Sequence, residues 1–160
     1  MTISFFGHAE ICNTQEIEEH LISVIKELTR GKRVELFFGG YGMFDDLAYR
    51  CCRKISELGE DFSFKFIFVT PYITESYLKN QVSIKHIVFD EVVYPPIEKT
   101  PYRFAITARN RWMVENSDTV ITYVKKSSGG AYSAKHHAEK HGKIVINIVD
   151  KIEEKNRLIE

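Results

Sequence analysis

Val34-Glu35-Leu36-Phe37-Phe38, then Gly39-Gly40-Tyr41-Gly42, then Met43-Phe44-Asp45-Asp46-Leu47-Ala48: the fold is decided in this stretch. The first five residues are apolar on both sides apart from Glu35, the pattern of a strand covered on both faces of a parallel sheet. A glycine-rich turn follows. Beyond it Phe44, Leu47, Ala48, Cys51, Cys52, Ile55 and Leu58 recur at i, i+3, i+4, i+7, i+8, i+11 and i+14, an apolar stripe along one side of a helix that Gly59 ends. Strand, tight turn and amphipathic helix make half of a βαβ unit.

The same alternation continues outward from this unit. Residues 3–6 predict a first strand. Residues 14–30 predict a helix capped by Asn13 or Thr14, with Ile17, Leu21, Val24, Ile25 and Leu28 on one face and Gly31 as its stop. On the other side, 64–69 predict a strand, 75–79 a short helix and 86–89 a further strand. Residues 90–101, with Pro95, Pro96 and Pro101, predict a long surface loop. Helix is expected at 102–116, strand at 119–124, helix at 131–141 and a last strand at 144–149. The sum is an α/β fold, Rossmann-like and doubly wound, with a mostly parallel sheet and helices on both faces. It forms one domain over 1–150, followed by a charged tail at 151–160 that frays or forms a short helix.

Bulk properties agree with a single globular domain. The chain has 160 residues, 44% of them hydrophobic, enough to bury a core. Lys plus Arg total 22 and Asp plus Glu total 22. That balance leaves no chain-wide positive field and argues against a nucleic-acid partner, since duplex binders usually carry a basic excess. No apolar run is long enough to cross a membrane, and the amino terminus lacks a signal-like pattern, so no membrane partner is expected. Cys12, Cys51 and Cys52 offer neither a CxxC motif nor a disulfide framework, and reduced thiols point to the cytoplasm.

In parallel sheets ligands collect outside the carboxyl ends of the strands. Those ends carry Gly7-His8, Gly39-Gly40-Tyr41-Gly42, Thr70-Pro71-Tyr72 and the segment from Lys125 to Gly130. Two are glycine-rich turns that open helices, where unpaired N–H groups and the helix dipole favour an anion. Ser127-Ser128-Gly129-Gly130-Ala131-Tyr132-Ser133 adds hydroxyls, follows Lys125 and Lys126, and has no adjacent carboxylate, which makes it the better phosphate cradle. In the other turn Asp45 and Asp46 would repel a phosphate but could accept hydrogen bonds from a sugar. Neither turn has the GxGxxG spacing of a dinucleotide-binding dehydrogenase.

Arg109 lies four residues after Ala105 and four before Met113, so it shares their inward face. An inward arginine needs an anion, and a ligand phosphate at the nearby Gly-Gly loop is the expected one. Asn110 and Met113 complete that polar run. His137 and His141 have the i, i+4 spacing of helical zinc ligands, but no third ligand of suitable spacing is near, so a polar helix face is expected instead. No metal or cofactor is expected, and no nucleophile–base pair is evident.

These segments together resemble the SLOG superfamily, which groups lonely-guy cytokinin-activating hydrolases with DprA-like and sensor domains. The resemblance spans residues 3–148. It rests on Gly39-Gly40-Tyr41-Gly42-Met43-Phe44-Asp45, Arg109-Asn110-Arg111-Trp112-Met113, Ser117-Asp118 and Ser128-Gly129-Gly130-Ala131, and is nearest to short bacterial and phage members. It implies a nucleotide pocket with Arg109 at the hydrolase arginine position. His136 stands where the hydrolases carry their catalytic glutamate, which leaves phosphate binding but removes the usual acid–base group. The resemblance therefore implies a cytoplasmic binder of a nucleotide, nucleotide sugar or NAD-derived signal such as a cyclic ADP-ribose-like messenger. It would act as sponge or sensor in antiphage defence or counter-defence. The alternatives are an N-glycosidic hydrolase or transferase acting on nucleoside monophosphates, with Glu10, Asp45, Asp90 or Glu91 as the acid, and a structural module without a ligand. Homodimers are common in the family, and Tyr94, Tyr102, Phe104 and Trp112 offer an apolar surface for one.

Overall fold

The computed structural model describes residues 1–85 and 87–160, the side chains of 81–85 excepted. Six strands form one sheet: β1 (Thr2–Gly7), β2 (Lys32–Phe38), β3 (Phe62–Val69), β4 (Glu91–Val93), β5 (Thr119–Tyr123) and β6 (Ile144–Asn147). Every pairing is parallel, and the order is β4-β3-β2-β1-β5-β6. Among the described residues six α-helices connect and follow them: α1 (Thr14–Thr29), α2 (Met43–Ser56), α3 (Glu75–Lys85), α4 (Ala105–Glu115), α5 (Gly130–Lys140) and α6 (Ile148–Ile159). This is the Rossmann-like α/β architecture expected from the alternation.

The strands alternate their side chains between two cores. Ile3 and Phe5 of β1, Val34, Leu36 and Phe38 of β2, and Ile121 of β5 pack on α1, α2 and α6. Their neighbours Phe6, Phe37 and Val120 point the other way, against Met113 and Val114 of α4 and Ala134 and Ala138 of α5. On the first face the Phe5 and Phe38 rings stack at 5.1 Å, and the Phe38 and Phe66 rings at 6.0 Å, tying β1, β2 and β3 together. The stripe of α2 is buried from Phe44 to Ile55.

Four local expectations are corrected. Leu58 is 60% exposed, because α2 ends at Ser56 before the stripe reaches it. The strand expected at 86–89 is not there: His86 lies outside the described residues and 87–89 are irregular, whereas β4 sits two residues later inside the expected loop. Three residues paired to Ile67, Phe68 and Val69 are too short to show a period. The last strand stops at Asn147, and residues 148 and 149, expected as its end, instead open the twelve-residue α6 against α1, in which the charged tail takes the helical one of its two expected forms. Asn13 occupies the N-cap of α1 with φ 54°, but its side chain makes no capping bond.

Gly7 is fixed by packing. A Cβ there would lie 2.2 Å from Cγ of Phe44, a fully buried ring at the start of α2. Gly7→Ala should therefore destabilise the chain by about 1–3 kcal/mol through overpacking. In a Phe44→Leu background the same change should cost less, a coupling that urea unfolding of the four proteins in the cycle would measure.

Candidate functional site

Chain direction across the sheet reverses between β1 and β5, so the loops leaving these neighbouring strands go to opposite faces and a crevice opens between them. A cavity of about 660 Å³ occupies it, within the ~300–1,000 Å³ range of ligand sites. Gly7 and His8 line it from β1, Gly39 and Tyr41 from β2, and Tyr72 from β3. Asp45 enters from α2, Arg109 and Asn110 from α4, and Ser128, Gly129, Gly130 and Ala131 from the loop into α5. The structure thus brings together residues that the sequence places in five separate segments.

Other expected residues fall outside the lining. Met113 is fully buried in the core beneath α4. Gly40 is buried behind the turn. Gly42 has φ 94°, and a Cβ on it would come within 2.9 Å of the Ala9 backbone. Ser127 and Ser133 are exposed beside the pocket, and the Tyr132 ring stacks on His136. His136, which the resemblance sets at the hydrolase glutamate position, is half exposed and 3.9 Å from Glu139, away from the cavity. Of the carboxylates considered as substitutes, Glu10 and Asp45 line the pocket. Asp90 accepts the N–H of Phe66, and Glu91 pairs with Lys65.

Sequence reasoning missed Tyr77 and Ile106 as lining residues, and placed Lys126 only beside the cradle. Ile106 is one helical turn before Arg109, a spacing that could have found it. Tyr77 lies on α3, whose weak apolar period gave no orientation.

The two glycine turns are built differently. At α2 the Asp45 carboxylate folds back and accepts the N–H groups of Gly39 at 3.2 Å and Gly40 at 3.0 Å. The turn is thereby closed by its own carboxylate. At α5 no side chain caps the helix, and its first intrahelical-type bond runs from Ser133 N–H to the Gly129 carbonyl. The N–H groups of Gly130, Ala131 and Tyr132 precede that bond and remain orphan donors. Gly129 has φ 96°, and a Cβ at Gly129 or Gly130 would meet nothing within 4 Å. This loop is open to the cavity.

Arg109 is 3% exposed and belongs to the wall as much as to the pocket. Its Nη1 donates to the carbonyls of Gly39 at 2.9 Å and Val69 at 2.6 Å, and its Nε donates to Oδ1 of Asn110 at 2.9 Å. The guanidinium therefore joins the ends of β2 and β3 to α4. Burial pushes its pKa down, and Tyr77, Asp45 and Tyr72 act in the opposite direction. His8 Nε2 accepts the N–H of Lys125 at 2.9 Å, which ties the end of β1 to the end of β5. Burial first, and then Lys126 and Lys125, lower the His8 pKa, so the ring is the neutral acceptor this bond requires.

Tyrosines form the opposite rim. Tyr72 and Tyr102 stack at 4.5 Å and 21°, and Tyr77 meets Tyr72 edge-on at 5.0 Å. Tyr102 is 75% exposed and Tyr41 76%. Of the aromatics expected on a dimer surface, Tyr102 thus packs on a pocket residue, and Trp112 stacks on Phe37 within the chain. The groups suited to hold a metal, Glu115, His137 and His141, lie at the far ends of α4 and α5.

Burial raises the Asp45 pKa from 3.8 to about 7, against the stabilising bonds from Gly39 and Gly40 and the charge of Arg109. The folded chain then holds a proton that the unfolded chain releases, so stability falls as pH rises from 3.8 towards about 7. Between about pH 5 and pH 8 the chain should lose roughly 3 kcal/mol relative to its Asp45→Asn variant. Urea unfolding at both pH values checks this, and identical pH dependence of the two proteins would refute it.

No family model matches this sequence, and no curated protein matches it. Among solved structures it is similar to DNA processing protein A of Helicobacter pylori, described for its single-stranded DNA binding mode. The TM-score is 0.62 at 19% identity, over 98% of this chain and 73% of that one. It is also similar to DNA processing protein A (DprA) of Streptococcus pneumoniae, with TM-score 0.60 at 16% identity, over 90% of this chain and 48% of that one. These likenesses show that the chain shares the Rossmann-like fold of those proteins. They also overturn two expectations. A protein of this fold is described as binding single-stranded DNA, so the exclusion of nucleic acid as a partner is corrected, and with it the sponge or sensor for a free nucleotide. The error lay in applying to the whole chain a charge criterion that belongs to duplex binders. A single strand needs only a local cationic groove and stacking faces.

Proposed function

We propose that the chain binds single-stranded nucleic acid across the carboxyl ends of β1, β2, β3 and β5, with DNA as the favoured strand. The observation that carries this reading is the pairing, in one cavity, of an open phosphate cradle with an aromatic platform. The orphan N–H groups of α5 and the ammonium of Lys126 face a backbone phosphate, and Tyr72, stacked on Tyr102, offers a π face to the adjacent base. A duplex keeps its bases stacked inside and cannot place one in a 660 Å³ crevice. A single strand can. The Helicobacter protein of the same fold supports the choice of DNA. Free thiols at Cys12, Cys51 and Cys52 accord with a cytoplasmic setting.

Fluorescence anisotropy with a labelled oligothymidylate tests the proposal. The native chain should bind the single strand more tightly than the matching duplex. Tyr72→Ala should weaken binding by ~1–3 kcal/mol, the range for loss of one stacked base. Lys126→Ala should reduce the slope of log K against log salt by about 0.7, as expected for one lost contact to single-strand phosphate. Binding that ignores both substitutions, or no binding at low salt, would overturn the assignment.

A further inference from the structure

We propose that Glu115, His137 and His141 form a zinc site that clamps the carboxyl ends of α4 and α5. One donor atom from each residue lies within 4.8 Å of the other two. The histidines are one turn apart on the same face of α5 and its C-cap, and their rings are 4.0 Å apart. Glu115 is the last residue of α4 and reaches across to accept a hydrogen bond from Nε2 of His137 at 2.9 Å. Sequence spacing could not supply this third ligand, since it comes from a different helix 22 positions upstream of His137.

The second layer of contacts orients the donors. Nδ1 of His141 lies 2.9 Å from the His137 carbonyl, which can only accept, so Nδ1 carries the proton and Nε2 keeps its lone pair for a metal. Lys143 Nζ donates to the Glu115 carbonyl at 2.9 Å, which holds the end of α4 and directs that ammonium to the backbone. His137 binds the ion through Nε2 after its ring proton passes to Nδ1, and the ion then replaces the proton between imidazole and carboxylate. No net proton is gained or lost in that exchange. A tetrahedral zinc ion with bonds of ~2.0–2.1 Å needs donors closer together than 4.8 Å. Glu115 and His137 already stand 2.9 Å apart, so the remaining closure falls on the exposed His141 side chain. Water completes the coordination on the exposed side.

Two imidazoles and one carboxylate select zinc over magnesium, which favours oxygen donors. The site is remote from the cavity, but both helices it joins build the cavity. Arg109 and Asn110 sit on α4, and Gly130 opens α5. The ion thus fixes the spacing of the two helices at the end opposite the ligand.

Isothermal titration calorimetry of the EDTA-treated chain with zinc chloride tests this, in a Cys12→Ser background because that thiol is exposed. One zinc per chain and no magnesium should bind. His137→Ala, His141→Ala and Glu115→Gln should each lower zinc affinity by about 10-fold or more. Zinc at about 100 times its Kd should raise the Tm by roughly 5 °C or more. Absence of saturable zinc binding would overturn the proposal and leave the three groups as a hydrogen-bonded cluster. Zinc binding retained by the His137→Ala/His141→Ala double variant would overturn it as well.

Discussion

The direction of the strands constrains everything else in this molecule. All six run the same way, so each connection must cross over the sheet, and right-handed crossovers put a helix on one face when the chain moves one way and on the other face when it moves back. From β1 the chain moves through β2 and β3 with α1 and α2 on the first face. It then returns across the sheet under α4 to β5 and proceeds to β6 under α5 on the second face. Between β1 and β5 the two windings part, and no connection can cover the gap. The cavity is the geometric consequence. Its walls include residues at the carboxyl ends of the strands, where small residues such as Gly7 and Gly39 stand. Gly7 yields to the Phe44 ring, and a Cβ at Gly39 would come within 3.2 Å of the Arg109 guanidinium.

Two helices begin at this crevice after similar Gly-Gly turns, yet only one leaves its amino-terminal N–H groups open to the cavity. The difference is one carboxylate. Asp45 takes the N–H groups of Gly39 and Gly40 that a phosphate would otherwise receive, and its burial is tolerated because those bonds and Arg109 oppose the cost of desolvation. The turn before α5 has no such acceptor, so its helix dipole and orphan donors face the cavity. Arg109 sits between the two. By donating to the carbonyls of Gly39 and Val69 it fixes the wall of the closed turn, a role its inward helix position did not disclose. An inward arginine signals an acceptor, but a helix period cannot distinguish a ligand phosphate from backbone oxygens on strands β2 and β3.

The legible parts of the sequence were those in which a local period governs local structure. The stripe from Phe44 to Ile55 located α2, the apolar runs located β1, β2, β3 and β5, and the glycine turns located the crevice. What escaped depended on contacts distant in sequence. β4 exists because β3 offers it an edge, and three residues carry no period of their own. Residues 148 and 149 are apolar enough for a strand, but the buried side of α6 needs Ile148 and Val149 against α1, and tertiary packing settled the choice. Tyr77 and Glu115 became visible only once α3 approached Tyr72 and α4 lay beside α5.

Net charge misled because it sums over distances at which charges no longer act. At physiological salt the Debye length is ~8 Å, so an acidic residue on the far side of the domain cannot cancel a cation at the crevice. Many of the surface carboxylates also have partners of their own, as Glu18 with Lys54, Glu91 with Lys65 and Glu139 with Lys135. Among the described residues Lys125 and Lys126 form no ion pair. Asp45, the buried carboxylate of the pocket, has a pKa of about 7 and is therefore only partly ionised at neutral pH. Arg109, Lys126 and the amino end of α5 outweigh it, with Glu10 as the remaining acidic lining residue. A chain with no net charge can thus present a cationic crevice, and for a ligand that enters the crevice the local field is the relevant one.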